Sequence, residues 1–146
     1  MPKFKFRLQG YYDVKIKLED KAKLDYGLAI AALERERLER ERLEHERAAK
    51  LDQFRESLNG SVKPHELQNL NNYIEVIKKN ISQVDERVNK ARDLAEKRRA
   101  DLTEAMKQRK MVEKLHDNAK SDFMKEFNKA EQRATDEVIS YKFNNR

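Results

Sequence analysis

The chain has 146 residues, of which 41% are charged, 38% hydrophobic and 8% aromatic, with three glycines, two prolines and no cysteine. Without cysteine there is no disulfide framework and no thiolate nucleophile or metal ligand, and so much charge leaves too little apolar material for a compact core, pointing instead to coiled coil. The net charge of +6, from 33 Lys and Arg against 27 Asp and Glu, could steer the molecule to an acidic partner, but it lacks the dense basic stripe and recognisable module of a nucleic-acid binder.

Residues 1–7 alternate basic and aromatic side chains, Lys3, Phe4, Lys5, Phe6 and Arg7. Alternation is a strand signal, but no partner strand is visible elsewhere, so the segment reads as a lead-in to the first helix. It lacks the apolar core of a secretory signal. The longest nearly apolar run, Gly27 to Leu33, falls far short of the ~20 residues of a membrane span. A cytoplasmic protein is expected.

Helix one is predicted from about Leu8 to Leu58. Its early seam reads Leu8, Tyr11, Lys15, Leu18 and Ala22, then drifts toward Ala29 and Ala32. The middle is a pentad repeat led by Leu33, Leu38 and Leu43. Five residues turn a helix by ~500°, so these leucines should wind around it without forming one stripe. Pairs such as Glu36 with Arg40 and Glu39 with Arg42 stiffen an exposed helix by about 0.2–0.5 kcal/mol each. Order returns at Arg47, Leu51, Phe54 and Leu58.

The break is Asn59-Gly60-Ser61-Val62-Lys63-Pro64. Asn59 and Gly60 can take the left-handed conformation that closes a helix, while Pro64 suits the first position of the next one and Glu66 its positive dipole end. So short a connection between long helices predicts an antiparallel hairpin. A turn centred near residue 61 or 62 places residue i roughly opposite 123 − i.

Helix two, about 64–143, carries the clearest pattern in the chain. Its heptad seam runs Leu67, Leu70, Ile74, Ile77, Ile81, Val84, Val88, Ala91, Ala95, Arg98, Leu102, Ala105, Arg109, Val112, His116, Ala119 and Phe123. Only three of these positions, Arg98, Arg109 and His116, are polar. A 3.5-residue period held this long marks a helix that meets a partner along its length. At about 1.5 Å per residue such a helix is on the order of 120 Å long, and the expected fold is an all-α, two-helix antiparallel coiled-coil hairpin with the second helix longer, one domain over 1–146. Helix one then runs out before helix two ends. The overhang continues the stripe through Phe123, Phe127, Ala130, Ala134, Val138 and Tyr141, and an apolar stripe without an intramolecular partner is a candidate binding surface.

Chemistry is sparse. His45, His65 and His116 are scattered, and there is no phosphate-binding glycine loop and no nucleophile spaced to a base. Acidic residues alternate with basic ones along exposed helix faces, and a two-helix hairpin has no water-excluding pocket. The chain reads as non-enzymatic, with no cofactor, metal or small-molecule substrate and no nucleic-acid partner.

The opening Phe4-Lys5-Phe6-Arg7-Leu8-Gln9, the charged first helix, the Asn-Gly turn and the longer second helix together resemble the flagellar export protein family FliJ over the whole chain. The resemblance implies a long antiparallel coiled coil similar to the stalk of rotary ATP synthases. It implies that one end enters the ring of the export ATPase FliI and promotes its assembly and activity. Contact with the cytoplasmic region of the export gate FlhA and handling of export chaperones are implied as well, with a location at the inner face of the membrane through the export apparatus. The ring-docking end would comprise Arg7, Leu8, Lys15, Phe123, Phe127, Ala130, Ala134, Val138 and Tyr141, with basic groups such as Lys3 and Lys5 steering it. The gate contact, near the turn, would involve Phe54, Tyr73 and Ile77; the family pattern departs at Lys50 and Asn80. Rival readings are the equivalent stalk of a virulence secretion system and a structural or dimerising spacer.

Overall fold

The computed structural model describes residues 2–60 and 62–145; Met1 of the expected lead-in, Ser61 of the expected turn and Arg146 lie outside the described residues. The fold is all-α. Helix α1 spans Gln9–Leu58 and helix α2 spans Pro64–Asn144, 50 and 81 residues long, paired as an antiparallel coiled-coil hairpin. All four helix ends fall within a residue of the predicted ones.

The turn differs from expectation in one respect. No described residue has a positive φ, so α1 does not close through a left-handed Asn59 or Gly60. Instead, the Asn59 and Gly60 N–H groups donate to the carbonyls of Glu56 and Ser57 at 3.1 and 3.4 Å, a tighter i→i−3 winding that satisfies the last carbonyls without leaving right-handed space. At the other side, the Lys63 carbonyl accepts from the N–H groups of Glu66 and Leu67 at 3.0 and 3.3 Å. Pro64 sits where a missing N–H costs nothing.

Where the sequence reading has one coiled-coil domain, contacts group into two compact units, 22–102 and 1–21 with 103–146. In the first, Ala29, Leu33, Leu43, Ile77, Ile81, Val84, Val88 and Ala95 form one buried cluster with Ala91 against it. Its register is fixed at the rim. Arg87 donates to Glu36 at 3.1 Å, Arg40 pairs with Asp85, and the Tyr73 hydroxyl donates to Glu46. Glu36 with Arg87 obeys the 123 − i rule, and the other pairs lie within a few residues of it.

All 17 predicted seam positions of α2 are buried or half-buried. The α1 seam needs correction. Its inward residues are Leu8, Tyr12, Lys15, Glu19, Ala22, Tyr26, Ala29, Leu33, Glu36, Arg40, Leu43, Arg47, Lys50, Phe54 and Ser57, all but Arg40 at least half-buried. Tyr11, Leu18 and Leu58 face outward, each about half exposed or more. The predicted drift does not occur: the steps of four and three are unbroken, and polar residues occupy many of them. Nor do the pentad leucines simply wind around. Leu33 and Leu43 are ten residues apart, a heptad plus a three-residue step, so both enter the seam at 6% and 4% exposure, while Leu38 between them is 54% exposed.

Candidate functional site

The second unit, 1–21 with 103–146, holds the predicted ring-docking residues. Its seam is built of paired polar groups. Glu19 is only 5% exposed, and it accepts from Arg109 Nε at 2.5 Å. Arg109 also donates to Glu113 one turn on. These hydrogen bonds, Glu19 first, hold the Arg109 guanidinium above its ordinary pKa. A buried charge is tolerated only when it is paired and hydrogen-bonded in this way. One turn nearer the N-terminus, Lys15 Nζ donates to Gln108 Oε1 at 2.5 Å and lies 5.0 Å from the Tyr11 ring centroid. Lys15 is thereby a half-buried seam residue, held in place and not projecting as a steering charge.

Beyond it, the lead-in folds back onto α2. The segment is neither strand nor helix, and the Gln9 N–H donates to the Phe6 carbonyl at 3.1 Å. This turn brings Phe4 and Phe6 edge-on to His116, with centroids 5.6 and 5.1 Å away. Tyr12 approaches the same imidazole at 5.6 Å. Phe4 also meets Phe123 at 5.6 Å, and Phe123 stacks on Phe127 at 6.5 Å. Edge-to-face rings of this kind contribute about 0.5–1.5 kcal/mol per pair beyond area burial. Burial pushes the Tyr12 phenol above its usual pKa, and the Glu113 carboxylate adds to the effect. The basic–aromatic alternation of residues 3–7 thus places aromatic side chains inward with lysines between them.

The structure divides the predicted stripe. Leu8, Phe123 and Phe127 are half-buried, whereas Arg7, Ala130, Ala134, Val138 and Tyr141 are exposed. Every described residue from 128 to 145 is exposed, including Ile139 at 60% and Phe143 at 77%. These last two were missed because they lie off the stripe, although their four-residue spacing was a readable signal.

In the turn-proximal unit, Phe54 is half-buried on the seam and Tyr73 is 44% exposed. The Tyr73 ring lies 5.1 Å from Lys50 Nζ. The hydrogen bond to Glu46 raises its phenol pKa. Ile77 is 2% exposed, inside the core cluster: as a seam residue it faces α1 and offers a partner no surface. Among the described residues no group of three His, Cys, Asp or Glu could hold a metal ion, and no helix is long and apolar enough to cross a membrane.

Comparison with known proteins agrees with this architecture. The family model described as flagellar FliJ protein matches residues 4–146. Among solved structures, a YscO homolog, CT670, from Chlamydia trachomatis is similar over 93% of each chain, with a TM-score of 0.51 and 21% identity, a likeness of fold. No curated protein matches the chain.

Proposed function

Because the chain belongs to the flagellar FliJ family, and so to the flagellar or type III secretion machinery, we propose that it acts there as a non-enzymatic, stalk-like coiled coil. The exposed end of α2 inserts into the ring of the export ATPase FliI and promotes its assembly and activity. The half nearer the turn contacts the export gate FlhA, at the inner face of the cell membrane, and export chaperones are further partners. The observation that carries this reading is the helix beyond Phe127. It remains helical to Asn144, and every described residue of it from 128 onward is exposed. Exposed apolar side chains at Val138, Ile139, Tyr141 and Phe143 give a ring something to close upon.

Arg7 stays available beside this end, whereas Lys15 acts through the seam. At the gate-facing half, Tyr73 and the rim of Phe54 are the accessible candidates, and Ile77 supports them from within the core.

The test is ATP hydrolysis by the cognate export ATPase at sub-saturating enzyme, with the full chain and with a chain lacking residues 128–146. This truncation spares the aromatic cluster at Phe123 and Phe127. Stimulation by the full chain that vanishes on truncation supports the stalk. Equal stimulation by both chains refutes docking through this end. A stable dimer without any effect on hydrolysis would favour a spacer.

A further inference from the structure

Tyr11, Val14 and Leu18 on α1, and Met111 and Leu115 on α2, are 47–68% exposed, and all belong to the unit of 1–21 with 103–146. Each directly precedes a seam residue: Tyr12, Lys15, Glu19, Val112 and His116 respectively. One residue back along a helix is a rotation of about 100°. In an antiparallel pair the two chain directions are opposite, so this rotation turns the preceding side chain toward the same side of the pair on both helices. The five residues therefore share one face, flanking the groove between α1 and α2. On α1 alone, Tyr11 to Leu18 spans about 10 Å, two helical turns.

Charge surrounds this face unequally. Lys21 lies on it one turn beyond Leu18, and Lys17, Lys107 and Lys114 border it, each directly preceding one of its residues or Gln108. All four lysines are exposed, and among the described residues none is in an ion pair. Within this unit the carboxylates on this side are Glu104, which accepts from Gln108, and Asp122.

We propose that this lysine-bordered face is a docking groove for an acidic amphipathic helix of a partner protein, which lies along α1 and α2 as a third helix. The recognition is helix-in-groove, with apolar anchors at i, i+3, i+4 and i+7 and glutamates or aspartates on the flanks. A second copy of this chain would bring the same positive border and be repelled. An anionic membrane shares the charge but is flat, whereas the apolar side chains stand on two ridges with a furrow between them. The small patch makes the contact a transient one. This groove is a different surface from the exposed end of α2, and its test does not depend on ATPase stimulation.

The experiment uses the full chain with labelled Val, Leu and Met methyl groups. The probe is a helical peptide of about 16 residues with leucine at every third and fourth position and glutamate on both flanks. The methyl resonances of Val14, Leu18, Met111 and Leu115 should shift on titration, with affinity falling as salt rises. Leu18→Glu with Leu115→Glu should weaken binding at least about tenfold, because it replaces apolar anchors with charges matching the peptide's own. Lys17→Glu with Lys114→Glu should weaken it several-fold, whereas Leu28→Glu, at an exposed site in the other unit, should leave it unchanged. Helix content by circular dichroism should be the same in all variants. Absence of shifts at these methyls, or equal binding by the Leu18 and Leu115 double variant, overturns the proposal. So does tighter binding through these residues to phosphatidylserine vesicles than to the peptide, or a dimer that the double variant abolishes.

Discussion

The two units share one heptad geometry and fill it with opposite chemistry. In 22–102 the buried core of the seam is aliphatic, Ile77, Ile81, Val84 and Val88 with Leu33 and Leu43 across from them, and the polar seam residues Glu36, Arg40, Arg47 and Lys50 all come from α1. In the unit of 1–21 with 103–146 the seam adds to Val112 and a few small apolar residues the polar pairs Glu19 with Arg109 and Lys15 with Gln108, and a cluster of rings around His116. Apolar burial is non-directional and tolerates sliding, whereas a carboxylate meeting a guanidinium does not. The comparison teaches that one unit supplies adhesion and the other supplies alignment.

The largest expected effect lies on the aliphatic side. Ile77→Ala should lower unfolding free energy by about 2–4 kcal/mol through the cavity it leaves, measured by denaturant unfolding. Leu43→Ala should be comparable, while Leu38→Ala, at an exposed site of the same pentad repeat, should stay within about 0.5 kcal/mol. Equal costs at Leu38 and Leu43 would break the assignment of the α1 seam.

Next comes the ion pair. Glu19→Ala should lower thermal stability and speed hydrogen exchange in 1–21 and 103–127, because it leaves the part-buried Arg109 guanidinium with Glu113 as its remaining carboxylate partner. The double change Glu19→Leu with Arg109→Leu should recover that loss or exceed the parent, as apolar pairs do when they replace buried charges. If the double variant is also less stable but stays in register, the pair contributes more than alignment. Phe4→Ala should then release the lead-in, at a cost of about 1 kcal/mol, seen as faster exchange at Gln9 and Tyr12 with the other unit untouched.

Among the polar seam residues of 22–102, Arg47 stands out. Its Nε is buried with no hydrogen-bond partner among the described groups. Arg47→Met should therefore raise stability by about 1 kcal/mol, the scale of removing a buried unsatisfied donor. The smallest effect is electrostatic. The hydrogen bond from Arg42 holds Glu39 below the usual carboxylate range, so its stabilisation is complete above the unfolded-state pKa and is lost as pH falls through the folded one. Glu39→Gln should flatten the acid limb of the stability profile slightly, since both side chains are well exposed.

The difference between the units also explains what was legible in the sequence. The α2 seam could be read residue by residue because isoleucine, valine and alanine repeat against a charged background. The α1 seam could not, because Lys15, Glu19, Glu36, Arg40, Arg47 and Lys50 occupy it. Hydrophobic periodicity has no way to distinguish an inward glutamate from an outward one, and exposed Tyr11 and Leu18 drew the reading one residue off. Only the partner helix discloses why Glu19 is inside. The stripe from Phe123 to Tyr141 was visible, but its division after Phe127 depended on Phe4 and Phe6 folding back, a contact with no local signal.

The antiparallel register fixes the order in which the molecule can be completed. Glu46 and Tyr73 are separated by 27 residues, whereas Glu19 and Arg109 are separated by 90 and Lys15 and Gln108 by 93. At about 5–20 residues per second of synthesis, the aromatic lead-in leaves the ribosome first and waits on the order of 6–25 s for Phe123 to follow. Phe4 and Phe6, made long before Phe123, are the last of these groups to find their place, so pairing proceeds from the turn outward.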